Sequence, residues 1–427
     1  MVTALFLAVT VLLFFSVPVA VCLGFASLIA LAVKGVPVIN LAQSVYEALD
    51  SFALMAIPFF ILAGNLMQTG GMSRRLIGLA NALVGWFRGG LGSASVLASM
   101  FFATISGSSS ATTAAIGSTL IPAMEKKGYP KPFAAATCAA AGELGVIIPP
   151  SIPMVVYGLV ANVSIGSLFI AGFLPGLMIG LSLIITIVVV ARVKKFDNIG
   201  SQSFRTWRAE LWRAFIDSFY ALLLPFIILG GIYAGWFTPT EASVIAVVYG
   251  LAIGLFVYRE LKWKDLLPIF SKSMVATSLI MMIVAYAAIF GYVLALEQVP
   301  QQLGRAIASI SSNPIVFMLL VNVLLFLVGT LLEALVTIIL IGPILAPVAA
   351  SFGIDPIHFG IVMIVNVAIG MLTPPVAVNL VVACKVANLR MSQLTRPVCM
   401  YLAVLTVDVL IISYVPAIST WLPSLVK

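Results

Sequence analysis

Apolar runs of roughly 20 residues, the length that crosses a bilayer, recur from one end of this chain to the other. Only 8% of the 427 residues are charged, against about 25% in a soluble globular domain. No segment between the apolar runs could supply the polar coat of a water-soluble core. An all-α polytopic membrane protein follows, because a helix in lipid satisfies its own backbone hydrogen bonds. The net charge of +8 is not read as a nucleic-acid footprint, since the basic residues sit in short loops. Cys22, Cys138, Cys384 and Cys399 are scattered through apolar segments without metal-ligand spacing. The start, MVTALFLAVTVLLFF, lacks the basic head of a signal peptide and reads as a retained membrane helix.

Residues 1–33 form either one tilted helix or two short ones divided at Pro18. A polar loop is expected over 34–50 and a helix over 52–69. An amphipathic interfacial helix is expected over 72–90, with Leu76, Leu79, Ala80, Leu83 and Val84 on one face. Residues 91–124 read as a re-entrant hairpin, two short apolar arms around the polar run from Ser106 to Thr113. A helix over 130–162 is interrupted between Gly142 and Ser151, and another covers 165–191. A basic loop (192–213) leads to helices at 214–234 and 240–258. From 268 the plan restarts: a helix to 296, an amphipathic stretch at 299–312, and a hairpin at 314–350 with its tip from Gly329 to Glu333. A broken helix at 356–385 and a last helix at 397–421 complete it. The chain thus divides into an N-terminal helix and outer loop (1–51), a first repeat (52–191), a basic loop with connecting helices (192–267) and a second repeat (268–427).

One ungapped offset of 225 positions relates the two halves. It pairs Thr112 with Thr337, Gly117 with Gly342, Pro122 with Pro347, Gly128 with Gly353, Gly145 with Gly370, and Pro149 and Pro150 with Pro374 and Pro375. Most of these residues shape backbone, which is what two copies of one fold share. With the 192–213 loop in the cytoplasm, 19 of the 22 lysines and arginines fall inside, leaving Lys34, Arg305 and Lys427 outside. The first hairpin then opens inward and the second outward, so the repeats are inverted, with two re-entrant hairpins and two broken helices, as in many secondary transporters.

Hairpin tips and helix breaks expose backbone at membrane depth, which is tolerated where protein or a wet cavity satisfies it. Ser106, Ser108, Ser109, Ser110, Thr112 and Thr113 offer hydroxyl and carbonyl oxygens that suit a hard cation or a polar solute. Their bland alternative is helix capping and close packing. Gly145 with Ile148 and Pro149, and Gly370 with Thr373 and Pro374, can free carbonyls at the breaks. Glu333 beside the second tip is an intramembrane carboxylate and a functional candidate; Glu143, Glu241 and Asp408 are weaker ones. Asn65 suits either a polar contact or an ordinary interhelical bond, and His358 a surface position. No phosphate-binding loop for ATP and no nucleophile–base pair appears, so an enzyme is not expected. An ion channel could also line a path with hydroxyls and carbonyls, but two closed tips on inverted repeats favour alternating access.

The segments FFATISGSSSATTAAIGSTLIPAMEKKGYPKPFAAA, GVIIPPSIPMVVYG, SIGSLFIAGFLPG and GMLTPPVAVNL resemble the large membrane subunit of tripartite ATP-independent periplasmic (TRAP) transporters, over essentially the whole chain. The resemblance implies an elevator-type fold of the ion-transporter-superfamily kind in the bacterial inner membrane. It also implies sodium-driven import of an organic acid, with Na+ as coupling ion and no other cofactor. Two partners are implied besides membrane lipid: a small four-helix membrane subunit and a soluble periplasmic substrate-binding protein. Carried over by motif, sodium would bind at Ser106, Ser110, Gly145, Ile148 and Pro149 in one repeat and at Gly329, Thr330, Gly370 and Thr373 in the other. Substrate would meet Ser108, Ser109, Thr112, Glu333 and Asn65; Glu333 stands where many members carry aspartate. The overall look is similar to sialic-acid (N-acetylneuraminate) members, with C4-dicarboxylate as the alternative. No basic residue is expected in the core, so a carboxylate would rely on helix N-termini, hydroxyls and sodium.

Overall fold

A computed structural model describes every residue except 1, 16, 38, 197–203, 311–312, 375–376 and 426–427. The described residues contain helices and no strand. The N-terminal apolar run is two helices, α1 (Val2–Phe14) and α2 (Val19–Lys34), with Pro18 at the head of the second. The loop expected over 34–50 is corrected: it contains α3 (Ile39–Leu49). Leu41 and Val45 lie four residues apart and turn inward, beside Ile289 of a later helix. A 3₁₀ turn (Phe52–Met55) leads into α4 (Ala56–Thr69). The amphipathic α5 (Met72–Val84) buries Leu76, Leu79 and Ala80 and turns Arg74 outward. Each buried leucine contributes about 1.5–3 kcal/mol.

The first hairpin is α6 (Gly90–Ser106) and α7 (Ser109–Lys126), 17 and 18 residues long. The broken helix is α8 (Lys131–Gly142), α9 (Leu144–Ile147) and α10 (Ile152–Val160), bent by 42° at the break. After α11 (Ile165–Lys194), α12 (Phe204–Tyr233) begins ten residues earlier than expected, so the basic loop is shorter. The capping box of Thr238 and Glu241 starts α13 (Pro239–Ala252), which accounts for that carboxylate. The second repeat runs through α14 (Trp263–Leu296), the amphipathic α15 (Val299–Ile310), and the hairpin α16 (Pro314–Gly329) and α17 (Ala334–Ser351). Then come α18 (Pro356–Gly370), α19 (Val378–Ala387), α20 (Met391–Tyr414) and α21 (Ala417–Leu425). The single last helix expected over 397–421 is therefore corrected to two, divided at Val415 and Pro416. Proline at that point cannot donate to the helix ladder.

Seven helices among the described residues are long and apolar enough to span, and one of them, α17, is a hairpin arm. Length does not separate an arm from a span; the turn between Gly329 and Ala334 does. The repeats share backbone detail. Thr112 Oγ1 donates to the Ser108 carbonyl at 2.8 Å and Thr337 Oγ1 to the Glu333 carbonyl at 3.1 Å. Gly128 and Gly353 both take left-handed φ, +88° and +74°.

Packing sorts the helices into two bodies. An outer frame joins α2, α3, α4, α13 and α14, with α1 on α2 and α12 on α13. An inner body joins α6 to α11 with α16 to α21. The amphipathic helices bridge them: α5 lies on both α6 and α12, and α15 on both α14 and α17. The frame carries ion pairs at its two ends. Arg75 meets Glu260 at 2.6 Å and Asp217 at 3.3 Å, and its guanidinium stacks 3.6 Å over the Tyr258 ring. Lys34 pairs with Glu297 at the far end of α14.

Candidate functional site

Gly107 ends α6 with φ +59°, a left-handed turn that reverses the chain within two residues. Ser108 then caps α7: its Oγ accepts the Ala111 N–H at 3.5 Å and lies 3.2 Å from Ser110 Oγ. Ser106 Oγ accepts the Ser108 N–H at 3.2 Å and lies 3.0 Å from Thr112 Oγ1. The first break closes on this tip. A Cβ at Gly145 would sit 2.5 Å from both the Ser108 carbonyl oxygen and Thr112 Oγ1. Past Gly145, Ile148 turns extended, and the Ile152 N–H reaches the Gly107 carbonyl at 3.5 Å. Ser106, Ser108, Thr112 and Gly145 therefore meet in one oxygen-rich spot. Hydroxyls and carbonyls without nitrogen or sulfur fit a hard cation.

The second tip and break meet through backbone. A Cβ at Gly370 would lie 2.7 Å from Gly329 Cα, and one at Gly329 would lie 3.0 Å from the Val367 carbonyl oxygen. Here α16 and α18 both end, and their last carbonyls are capped from the turn: the Thr330 N–H meets the Phe326 and Leu327 carbonyls at 3.2 and 3.3 Å, and the Met371 N–H the Val367 carbonyl at 2.9 Å. The Thr330 hydroxyl donates to Leu327 O at 2.7 Å and that of Thr373 to Ile369 O at 3.2 Å. Pro375 lies outside the described residues.

Between the tips and the frame lies a cavity of about 560 Å³. Its inner-body wall carries Ser106, Ser108, Ser109 and Glu333. Its frame wall carries Asn65 and Gln68 of α4 and Lys272 of α14. The N-termini of α7, α10 and α17 all open onto it, since Ser109, Ile152 and Ala334 line it. Three positive helix ends on one cavity favour an anion.

Asn65 donates to Ser273 Oγ at 3.0 Å, tying α4 to α14 beside the cavity. Thr112 and Ser110 stand off the cavity; Thr112 faces Gly145 instead. Glu143 is fully buried at the first break and accepts from Asn379 Nδ2 at 2.8 Å, while Thr113 Oγ1 donates to Asn379 Oδ1 at 3.0 Å. Asp408 accepts from Ser182 Oγ at 2.5 Å. Two expectations are corrected. His358 is buried, not at the surface, with Ser419 Oγ 2.7 Å from Nδ1 and the Ser413 carbonyl 3.2 Å from Nε2. A basic residue does line the core cavity: Lys272, which in sequence belongs to the basic run from Arg259 and is carried inward by the early start of α14.

The family model of the tripartite ATP-independent periplasmic transporter, DctM component, matches residues 6–418. The chain is 45% identical to a C4-dicarboxylate TRAP transporter large permease of Pseudomonas aeruginosa over 90% of this chain and 89% of that one. It is 44% identical to an isethionate TRAP transporter permease of Oleidesulfovibrio alaskensis over 97% of this chain, and spans 64% of that protein's length. A sialic acid TRAP transporter large permease of Vibrio cholerae is 37% identical over 97% and 96%. Among solved structures, the YdaH transporter of Alcanivorax borkumensis superposes with a TM-score of 0.65 at 16% identity, covering 90% of this chain and 87% of that one, a likeness of fold. The two-hairpin architecture shares the fold of that transporter, and the chain belongs to the DctM family of large TRAP transporter permeases.

Proposed function

We propose that this chain imports a small organic anion across the bacterial inner membrane, driven by sodium and supplied by a periplasmic binding protein. The observation that carries the reading is the cavity between frame and tips, onto which three helix N-termini and the oxygen-rich first tip converge. Sodium at the Ser106–Thr112–Gly145 spot would hold the first tip against the first break, and sodium at the Gly329–Gly370 contact would do the same in the second repeat. Tip geometry, and with it substrate binding, would then depend on the ion. The inner body would carry both past the frame while α5 and α15 bend at their ends.

For the substrate, C4-dicarboxylate stands ahead of sialic acid, because the relatives so named are 45% and 37% identical. Isethionate, named for a 44% identical relative, is likewise a small organic anion, with a sulfonate in place of carboxylates. The relatives' tripartite naming supports a small membrane subunit and a binding protein as partners. The test is uptake into proteoliposomes holding both membrane subunits, with the binding protein outside and succinate, isethionate and N-acetylneuraminate offered in turn. Succinate uptake that stops when the binding protein is left out is the expected result. Equal uptake without it would overturn the tripartite reading, and uptake of N-acetylneuraminate alone would restore the sialic-acid reading.

A further inference from the structure

We propose that Lys272 is the frame's contact for the anionic group of the substrate, and that it acts only while the inner body sits in the position seen here. This rests on the cavity being the substrate's path. Among the described residues, Lys272 is the one cationic side chain lining that cavity. It is exposed to it and makes no ion pair among the described residues. Its neighbour Ser273 is buried and bonded to Asn65, which fixes the backbone from which the lysine projects. Across the cavity stand the first tip and the N-termini of α7, α10 and α17.

The two kinds of positive charge belong to different bodies. The helix ends travel with the substrate; Lys272 stays on α14. Nine residues separate it from the head of α14 at Trp263, about 14 Å at 1.5 Å per residue. That head adjoins the Arg75–Glu260 end of the frame, the end that the charge distribution places in the cytoplasm. An anion carried there gains a second cationic partner that it lacked on arrival. Lys272 therefore sets the affinity on the cytoplasmic side and draws on the negative charge and acceptor oxygens that carboxylate and sulfonate have in common. Glu333, on the opposite wall, repels an anion and so favours the Lys272 side of the cavity for the anionic group.

The experiment measures binding of succinate and isethionate to the purified two-subunit complex in sodium. Lys272→Gln should weaken both about tenfold or more, the loss expected for a charged hydrogen bond, and Lys272→Arg should hold within about threefold. As a control against misfolding, Lys272→Cys is made with Cys384 and Cys399 changed to serine. Attaching an aminoethyl group to that cysteine should restore binding in the same protein, whereas a neutral methyl group should not. Wild-type affinity in Lys272→Gln, or recovery with the neutral group, would overturn the proposal and leave Lys272 an interface anchor. Lysine-dependent binding in a complex that shows no sodium-driven uptake would leave this inference standing and remove the transport reading instead.

Discussion

The two hairpin tips are built on one backbone plan and hold different chemistry. At the offset relating the repeats, Ser108 corresponds to Glu333, and each stands at the head of the second arm with extended backbone. Each also takes a threonine hydroxyl on its carbonyl. The neighbours diverge: Ser106, Ser109 and Ser110 correspond to Leu331, Ala334 and Leu335, while Ile148 at the first break corresponds to Thr373 at the second. The first tip brings side-chain oxygens to its break; the second meets its break through backbone, with one hydroxyl at the tip, Thr330, and one in the break, Thr373, each bonded to its own helix. Gly145 and Gly370 illustrate the same split, one facing a hydroxyl and a carbonyl, the other facing a bare glycine backbone. Symmetry governs the fold, and the side chains that decorate it are free to differ.

Substituting the paired glycines gives the largest expected effect. Gly370→Val drives a side chain into Gly329 Cα at 2.7 Å, where no flexible atom can yield. Gly145→Val meets the Ser108 carbonyl and the Thr112 hydroxyl. Both should abolish uptake and lower thermal stability by about 1–3 kcal/mol, as overpacked cores do, since each new side chain meets backbone within 3 Å. A melting curve and an uptake assay on each variant check this. Wild-type uptake and stability in either variant would show that its tip and break do not meet as closely as these distances require.

Removing hydroxyls comes next. Ser106→Ala should raise the sodium concentration for half-maximal uptake by roughly 5–150-fold, the equivalent of about 1–3 kcal/mol. Thr373→Val should do so by less, because backbone carbonyls remain. Thr330→Val, whose hydroxyl is engaged by Leu327 O at 2.7 Å, should shift it by under about twofold, within the scatter of a single neutral hydrogen bond. A larger effect at Thr330 than at Ser106 would reverse the ordering of the two tips. Titrating sodium for the three variants in parallel decides it.

The smallest effect belongs outside the tips, at the frame's basic end. Burial raises the Glu260 carboxyl, but hydrogen bonds and charge from Arg75 and Arg74 outweigh it and hold it below the usual carboxylate range. A depressed carboxyl contributes stability that is complete above its ordinary pKa and is lost as pH falls through the depressed one. Glu260→Gln should therefore cost less than about 1 kcal/mol at pH 7, since the pair is partly exposed and screened. The loss relative to wild type should shrink as pH falls below the ordinary carboxylate range, so it should be smaller at pH 3.5 than at pH 7 in melting experiments.

The features visible in the sequence are those that shape backbone. Gly107, the Gly145 and Gly370 breaks and the amphipathic faces around Leu76 and Val299 impose turns, breaks and interfacial helices locally. What stayed hidden depends on packing between distant segments. Helix α3 forms because Leu41 and Val45 find Ile289, about 250 positions away. His358 is buried because Ser413 and Ser419 reach it from beyond the last break. Lys272 reads as a charge in the first turn of a helix from 268, at the cytoplasmic edge, until α14 is seen to begin five residues earlier at Trp263. Thr112 reads as cavity lining until Gly145 is seen to face it.

The central claim is that an ion held between tip and break drives the anion inward. Its most direct test is initial uptake of radiolabelled succinate by proteoliposomes containing both membrane subunits, with binding protein outside. An inward sodium gradient is compared with an equal potassium gradient, both without ATP. The account predicts uptake that rises with external sodium and is absent in potassium. Uptake at full rate in potassium alone would contradict it.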